Sequence, residues 1–366
     1  MAVVTTPGDL IPITTKDGSP LELRHHPGPS GNAVLLVHGA SAGSATFRIG
    51  ERQTLVQYLL DQGFDVWTLD WRAGMNCTRS TYCANKSTDF TIDAAADHDV
   101  PAAILCMRET YRVKGKIGIV GHCLGGGIVT QGIVRDVLGV DDVENVVVTG
   151  LALFYKAALD NILKAEDQVL EQLLAGGQYL LHPTEKWDSS VCTQDPGKGD
   201  WDCLLQEPYE VWLDTPLPHK CNNDFCHRIS YMFGIPYVPD NIPSIHRDHL
   251  SSQFGYIPVQ FLLHCCQNLR RGHGAPFGST LRPDVTYLKR AAFRDRKLTL
   301  ITGDVNSLWH RDSIDTMYDW LRRGRRSEQP RELRKYVLAG FGHQDLHWGL
   351  EAPERVFPLI ANGLRL

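Results

Sequence analysis

The chain has 366 residues, of which 43% are hydrophobic and 22% are charged, and its formal net charge is −5. These values are ordinary for a globular protein, and the slightly acidic balance argues against nucleic acid or an anionic membrane as the main partner. No stretch reaches the ~18 uninterrupted apolar residues of a membrane span, and the first residues lack the basic and apolar regions of a secretory signal. The sequence therefore predicts a soluble cytoplasmic protein with mostly reduced cysteines, and it leaves the oligomeric state open.

Short runs rich in Val, Ile and Leu alternate with helical patterns over much of the chain. In chain order these patterns predict a strand at 33–37, a helix at 51–62, a strand at 64–70, a helix at 91–111, a strand at 116–120, a helix at 124–137, and strands at 145–154, 297–303 and 332–340, with a closing helix at 352–364. Pro101 predicts an irregularity or a restart within the helix at 91–111. The alternation indicates an α/β fold with a doubly wound, mostly parallel sheet.

One long segment, residues 156–294, breaks this alternation and is rich in Pro, Trp, Tyr, His and Cys. A structureless loop of that length would be unusual in a compact domain, so we predict a mainly helical cap inserted into a core made of residues 1–155 and 295–366. The insertion leaves the sheet at the carboxyl edge of the strands, where ligands bind in such folds, and returns before Lys297. Its aromatic residues Trp212, Tyr231 and Phe233 are expected to line an apolar pocket for a hydrophobic small molecule. They would equally serve as the core of the insertion itself.

The stretch "KIGIVGHCLGGGIV" has the form of a nucleophile elbow, with Gly121 and Gly125 on either side of Cys123. A sharp strand–turn–helix connection of this kind needs small flanking residues and exposes its central side chain. We therefore predict that Cys123 is a nucleophile, and that the following helix N-terminus lowers the pKa of its thiol below ~8.5. The alternative is a buried structural cysteine on a glycine-rich turn.

Backbone N–H groups near the elbow are expected to form an oxyanion hole. One is the N–H of Leu124, directly after the nucleophile, and the other is that of Ala40 or Ser41 in "HGASAGS". Such donors stabilise the negative oxygen that develops during attack on a carbonyl.

The remaining catalytic positions are predicted from the loops after the last two strands. His343 in "AGFGHQD" follows the last strand, where the general base of this architecture lies. Asn306 and Asp304 both follow Gly303, and we place Asn306 narrowly ahead as the residue that orients His343. A Cys–His pair tolerates an amide there, because it depends less on a buried anion than a Ser–His pair does.

Five motifs, "LLVHGASAG", "DVWTLDWR", "GHCLGG", "TGDVN" and "GFGHQD", give the sequence a resemblance to the α/β-hydrolase superfamily over about 21–154 and from 298 to the end. The cysteine elbow resembles that of dienelactone hydrolases. Together with "CNNDFCHRISYMFG" and "GFGHQDLHWG", the motifs are more closely similar to hydrolase regions that accompany cholesterol-oxidase-like (GMC) flavoproteins. The resemblance implies an enzyme acting on a hydrophobic ester, lactone or thioester. No glycine-rich dinucleotide fingerprint follows the first strand, so no flavin or other cofactor is expected.

Three functions remain compatible with these residues. The first is acyl transfer through an acyl-thioester at Cys123, ending in hydrolysis or in intramolecular transfer and cyclisation. The second is a non-covalent isomerase or cyclase that uses His343 as a proton shuttle. The third is a small-molecule-binding protein with a disabled site.

Two further features bear on structure. Arg72 in "LDWR" is expected to tie its loop through an Arg–carboxylate pair rather than to bind substrate. Other cysteines could form a zinc site or local disulfides, although their spacing matches no common zinc finger, and plain thiols with no metal are favoured. These cysteines are Cys77, Cys83, Cys192, Cys203, Cys221 and Cys226.

Overall fold

The computed structural model describes residues 1–29, 31–75, 90–166, 168–175, 180–181, 221–279 and 289–365. Within these residues the strands are β1 (Val3–Val4), β2 (Asp9–Thr14), β3 (Pro20–His26), β4 (Ala33–Val37), β5 (Ile49–Gly50), β6 (Asp65–Asp70), β7 (Ile117–His122), β8 (Val143–Thr149), β9 (Leu180–Leu181), β10 (Ile257–Pro258), β11 (Lys297–Gly303) and β12 (Glu332–Leu338). The α-helices are α1 (Leu55–Asp61), α2 (Ile92–Ala94), α3 (Val100–Glu109), α4 (Leu124–Val134), α5 (Leu159–Glu166), α6 (Val169–Ala175), α7 (Asp224–Phe233), α8 (Pro243–Asp248), α9 (Val259–Arg271), α10 (Asp312–Arg322), α11 (Asp345–Trp348), α12 (Ala352–Arg355) and α13 (Phe357–Leu364). None of these helices is long and apolar enough to cross a membrane.

Eight strands form one sheet in the order β12–β11–β8–β7–β4–β6–β3–β2. The strands from β12 to β6 are mutually parallel, and β3 and β2 pair antiparallel at one end. All six predicted strands are present, so the predicted α/β fold with a mostly parallel sheet is confirmed. The sequence did not predict β2 and β3, because β2 lies at the sheet edge, is largely exposed and contains Pro12, which a central strand would exclude.

Both faces of the sheet are covered by helices, as β4 illustrates. Val34 and Leu36 point to one face and pack in a core with α1 and α13. Leu35 and Val37 point to the opposite face and join the core formed with α3 and α4. Side chains alternate between the two faces of a strand, so a strand covered on both sides needs the continuous apolar run that the sequence provides.

The helix over 91–111 is interrupted near Pro101, as predicted. A π-helical turn, Ala95–Asp99, separates α2 from α3, and Pro101 lies in the first turn of α3. Proline has no backbone N–H to donate to the carbonyl of Asp97, so the regular hydrogen-bond ladder cannot continue through this point.

The inserted segment between β8 and β11 is mainly helical in the part that the structure describes. It contains α5, α6, α7, α8 and α9 and a short antiparallel pair formed by β9 and β10. Apolar residues of α6 and α9 pack against the core on the α4 side of the sheet. This arrangement brings the insertion to the carboxyl edge of the strands, where the predicted catalytic residues lie.

Candidate active site

Cys123 occupies the turn between β7 and α4 in a conformation that is rare for a residue other than glycine. Its φ is 56° and its ψ is −131°. Its N–H donates to the carbonyl of Thr149 at 2.9 Å, and its carbonyl accepts the N–H of Gly126 at 2.9 Å. The turn is therefore held from both sides, which is how a strained backbone conformation persists at a functional site.

The two glycines of the elbow are required by close backbone contacts. A Cβ on Gly121 would lie 2.6 Å from the Cα of Gly126, and a Cβ on Gly125 would lie 2.2 Å from the carbonyl oxygen of Val37. No side chain fits at either distance. The structural basis of the G-x-C-x-G spacing is thus the tight packing of α4 against its own strand and against β4.

The thiol of Cys123 is deeply enclosed, and only 8% of the residue is exposed. Burial raises the pKa of Cys123 to about 11, although hydrogen bonds from the Leu124 N–H, the Trp309 indole and the Ala40 N–H lower it. The sequence-based prediction of a pKa below ~8.5 is therefore wrong. Loss of water around the sulfur destabilises the thiolate by more than the helix N-terminus and these three donors stabilise it.

The N–H groups that face the sulfur decide between the two predicted oxyanion-hole donors. Those of Ala40 and Leu124 are directed at the Cys123 sulfur. Ser41, which has a φ of 60°, instead donates its N–H to the carbonyl of Ala73 at 2.8 Å, so its assignment to the oxyanion hole is wrong. Its side chain and carbonyl hold Gly255: the Ser41 hydroxyl donates to the Gly255 carbonyl at 2.6 Å, and the Gly255 N–H donates back at 2.7 Å.

His343 lies in the loop after β12 and is fully buried. Its ring fits closely against Gly150, where φ is 83° and a Cβ would lie 2.6 Å from the His343 Cε1. Burial lowers the pKa of His343 well below its usual range, and the neighbouring His122 ring lowers it further. The imidazole is therefore neutral at neutral pH, as a general base must be before it accepts a proton.

Of the two candidates for the third position, Asn306 contacts the histidine and Asp304 does not. The Nδ2 atom of Asn306 lies 3.1 Å from the Nδ1 atom of His343, and its Oδ1 accepts the backbone N–H of Trp309 at 3.2 Å. Asp304 is exposed and accepts the N–H of Gly340 at 2.7 Å. With this amide orientation, the single proton of the neutral His343 ring lies on Nε2, the nitrogen away from Asn306.

A group of buried polar side chains beside His343 was not foreseen from the sequence. The His122 ring is tilted by 37° to that of His343, with 4.6 Å between the ring centroids. Its Nε2 atom lies 3.0 Å from Gln344 Oε1, and its Nδ1 atom lies 2.9 Å from the Thr149 hydroxyl. The Thr149 hydroxyl also lies 2.9 Å from His347. Burial lowers the pKa of His122 to about 3, so this group adds no positive charge beside His343. The sequence could have indicated this group, because His122 and Gln344 are directly adjacent to Cys123 and His343, the two predicted catalytic residues.

Trp309 is a second residue that the sequence reasoning missed. Its buried indole N–H makes no hydrogen bond to a described oxygen or nitrogen atom and faces the Cys123 sulfur. The residue follows Asn306 by three positions, so the loop after β11 supplies both the histidine's partner and a donor at the thiol.

A cavity of about 230 Å³ opens onto Cys123 and His343. Its walls are mostly apolar and come largely from the insertion, including Tyr231 and Phe233, the two predicted substrate-binding residues that the structure describes. The third, Trp212, lies outside the described residues. Lys164 is a polar exception: its ammonium group donates to the Tyr231 carbonyl at 2.6 Å and to the Asn161 side chain at 3.2 Å.

Arg72 has the structural role that the sequence predicts. Its guanidinium is buried and bonds Asp99 at 2.6 Å and Asp17 at 2.8 Å. It therefore joins the loop after β6 to the π-helical turn and to the β2–β3 turn, and it is absent from the cavity wall.

Residues 34–359 match the family model described as the alpha/beta hydrolase family. Among solved structures, the chain is similar to a highly thermostable carboxyl esterase from Bacillus coagulans (TM-score 0.59, 14% identity, 99% of this chain and 100% of that one). It is also similar to a thermophilic esterase from Thermogutta terrifontis (TM-score 0.52, 18% identity, 97% of each chain) and to a soluble variant of monoglyceride lipase from Saccharomyces cerevisiae (TM-score 0.54, 12% identity, 99% and 96%). Among curated proteins, none matches this chain. At these identities the structural matches show a shared fold.

Proposed function

The chain belongs to the alpha/beta hydrolase family, and within it we propose an acyl-transfer enzyme that uses Cys123 as its nucleophile on a hydrophobic ester, lactone or thioester. One observation carries the proposal: the Cys123 sulfur faces the N–H groups of Ala40 and Leu124 at the end of an apolar cavity that His343 also lines. A carbonyl seated there would meet a nucleophile, an oxyanion hole and a base together, which is the constellation that acyl transfer needs.

The raised pKa of Cys123 and the lowered pKa of His343 favour a neutral thiol and a neutral imidazole as the resting pair. The thiol proton therefore moves to His343 Nε2 as the sulfur attacks, rather than beforehand. For Nε2 to accept it, the ring proton must lie on Nδ1. A half-turn of the Asn306 amide supplies the oxygen that accepts it there, and the same rotation breaks the hydrogen bond that Oδ1 accepts from the Trp309 N–H.

Attack forms a C–S bond and places the negative charge on the carbonyl oxygen, which Ala40 and Leu124 stabilise through their N–H groups. When the charged oxygen restores the double bond, the bond to the leaving group breaks and that group takes the proton from His343. The acyl-thioester is then attacked by water or by a hydroxyl group of the substrate, whose proton passes to His343. The C–S bond breaks, and the sulfur recovers that proton.

The cavity wall indicates the chemistry of the acyl group. Leu170, Met232, Phe233, Phe254 and Leu262 are among its apolar residues, and they offer no partner to a polar chain. A hydrophobic acyl chain suits this wall, in keeping with the resemblance to hydrolase regions that accompany GMC flavoproteins. By limiting water, a cap of this kind would favour transfer to an internal hydroxyl, and thus lactone formation, over hydrolysis.

Covalent trapping tests the proposal directly. On mixing with p-nitrophenyl hexanoate, the wild-type chain should release a burst of about one p-nitrophenol per chain and gain one hexanoyl group, located at Cys123 by peptide mass spectrometry. Cys266→Ser is the matched control, because Cys266 lines the same cavity but lies outside the elbow. Acylation that persists in Cys123→Ala and is lost in Cys266→Ser would overturn the proposal, and turnover without any adduct in the wild type and Cys123→Ala alike would indicate non-covalent catalysis.

A further inference from the structure

A second cluster of reactive side chains lies away from the cavity, where the start of α7 meets α8. Cys221 precedes α7, Cys226 lies in its first turn, and His246 is on α8. The two sulfur atoms and an imidazole nitrogen of His246 all lie within 4.8 Å of one another. The Nε2 atom of His227 lies 3.5 Å from the Cys221 sulfur.

One of these separations matches the edge of a tetrahedron around a metal ion, and the others approach it. Zn–S bonds of ~2.3 Å and Zn–N bonds of ~2.0–2.1 Å at tetrahedral angles place a sulfur and a nitrogen ligand about 3.5 Å apart and two sulfurs slightly farther. The Cys221–His227 separation equals that edge, whereas the atoms of Cys221, Cys226 and His246 lie within 4.8 Å of one another, up to about 1 Å beyond it. His227 lies outside this group of three mutually close atoms, so a bound metal ion would have to draw the four side chains together. Two thiols with imidazoles form a donor set that suits Zn²⁺ and does not suit Mg²⁺ or Ca²⁺.

The surroundings of the cluster are those of a structural site. Cys226 is fully buried, and Cys221 and His246 are half-buried. Apolar residues pack around them in one core that includes Ile229 and Ile245. The side chain of Asn223 already joins the two segments, because its Nδ2 donates to the His246 carbonyl at 2.5 Å. The ligands are thus held on two elements that are fixed relative to each other.

We propose that Cys221, Cys226, His227 and His246 bind one Zn²⁺ ion that fastens the start of α7 to α8. Binding forms two Zn–S and two Zn–N bonds and releases the two thiol protons to solvent. The same helix α7 carries Tyr231, Met232 and Phe233 into the cavity wall, so the metal stabilises that wall without touching the reacting atoms. The proposal does not depend on the chemistry at Cys123.

Metal content and spectroscopy of the full chain test this proposal. Protein produced with zinc and dialysed against metal-free buffer should contain about one zinc per chain by elemental analysis, and exchange with Co²⁺ should give thiolate-to-cobalt charge-transfer absorption with the visible bands of a tetrahedral site. Cys226→Ser and His246→Gln should reduce zinc at least fivefold. Cys106→Ser and His249→Gln, which change a cysteine and a histidine outside the cluster, should retain it.

The wild-type measurements need no variant, so they decide the matter even if a substitution prevents folding. Fewer than about 0.1 zinc per chain after zinc loading, or a Cys221–Cys226 disulfide in non-reduced peptide maps of the protein as produced, would overturn the proposal. A cobalt spectrum that lacks thiolate charge transfer would do the same. Acylation of Cys123 is measured on the same samples. Loss of zinc with unchanged acylation, or the reverse, then distinguishes failure of the zinc proposal from failure of the proposed enzymatic activity.

Discussion

Because Asn306 contacts His343, replacing this neutral amide with a carboxylate is the most informative substitution in the site. Asn306→Asp introduces a carboxylate 3.1 Å from the Nδ1 atom, at the position of the present amide nitrogen. An anion there favours the imidazolium form of His343, and the imidazolium in turn favours the thiolate of Cys123. We therefore expect the variant to exchange a neutral resting pair for an ion pair at lower pH.

The size of the effect follows from Coulomb's law. Two unit charges about 4 Å apart attract by ~4 kcal/mol at an effective dielectric of about 20. Because one pKa unit corresponds to about 1.36 kcal/mol, this is an upper limit of about 3 units for His343. Burying the new carboxylate opposes the gain, so an increase of about 1–3 units is expected.

The pH dependence of alkylation at Cys123 by iodoacetamide, followed by mass spectrometry, measures this change. In the wild type the rate should rise only as the pH approaches about 11, where the buried thiol ionises. In Asn306→Asp the inflection should move down by at least one unit, and the rate at pH 7 should rise about tenfold or more. Asp304→Asn is the control and should match the wild type, because Asp304 is exposed and bonds Gly340 instead. An unchanged inflection in Asn306→Asp, or an equal shift in Asp304→Asn, would refute the reasoning.

Three other outcomes are expected. Gly125→Ala should lower the free energy of unfolding in urea by at least about 2 kcal/mol, because its Cβ would lie 2.2 Å from a backbone carbonyl oxygen. Gly139→Ala, with no atom within 4 Å of the added carbon, should change it by less than about 1 kcal/mol, and equal losses would contradict this account. Cys123→Ser should reduce kcat/KM by about 10³–10⁴, which is comparable to the loss when an amide replaces the carboxylate of a serine triad. Adding Asn306→Asp to this variant should restore part of the lost activity. A serine variant as active as the wild type would show that the site is not adapted to a thiol. Phe233→Ala should raise kcat/KM for decanoyl relative to hexanoyl esters by about tenfold or more, because the enlarged cavity can bury more of the longer chain and each buried methylene contributes ~0.8 kcal/mol. An unchanged ratio would show that the acyl chain does not bind beside Phe233.

The sequence predicts the central fold and the elbow because both depend on local patterns. Buried parallel strands need apolar runs, and the turn at Cys123 needs glycines at fixed positions, so each feature is visible within a few residues. The same holds for Asn306, whose distance from Gly303 favours it over Asp304. The edge strand β2 could not be recognised, because it is exposed and its strand character comes from pairing with β3.

What the sequence could not predict depends on contacts between distant segments. The Ala40 N–H faces the Cys123 sulfur and the Ser41 N–H does not, because Ser41 has a positive φ and donates to the Ala73 carbonyl, 32 residues away in the chain. The pKa of Cys123 is dominated by burial, which arises only when the insertion and the loop carrying Trp309 close around the thiol. The local sequence identifies the helix N-terminus, which lowers the pKa of the thiol. It does not show the burial, which raises that pKa by more.

The paired hydrogen bonds between Ser41 and Gly255 limit how freely the insertion could be exchanged between relatives. They join the loop after β4 to the segment that leads into β10 and α9. A foreign insertion grafted onto this core would have to offer a carbonyl and an N–H at the same point. It would also need glycine there, because a Cβ on Gly255 would lie 2.7 Å from the Cβ of Met75. Recombination of caps among such enzymes would therefore succeed only where this short stretch is inherited with the core.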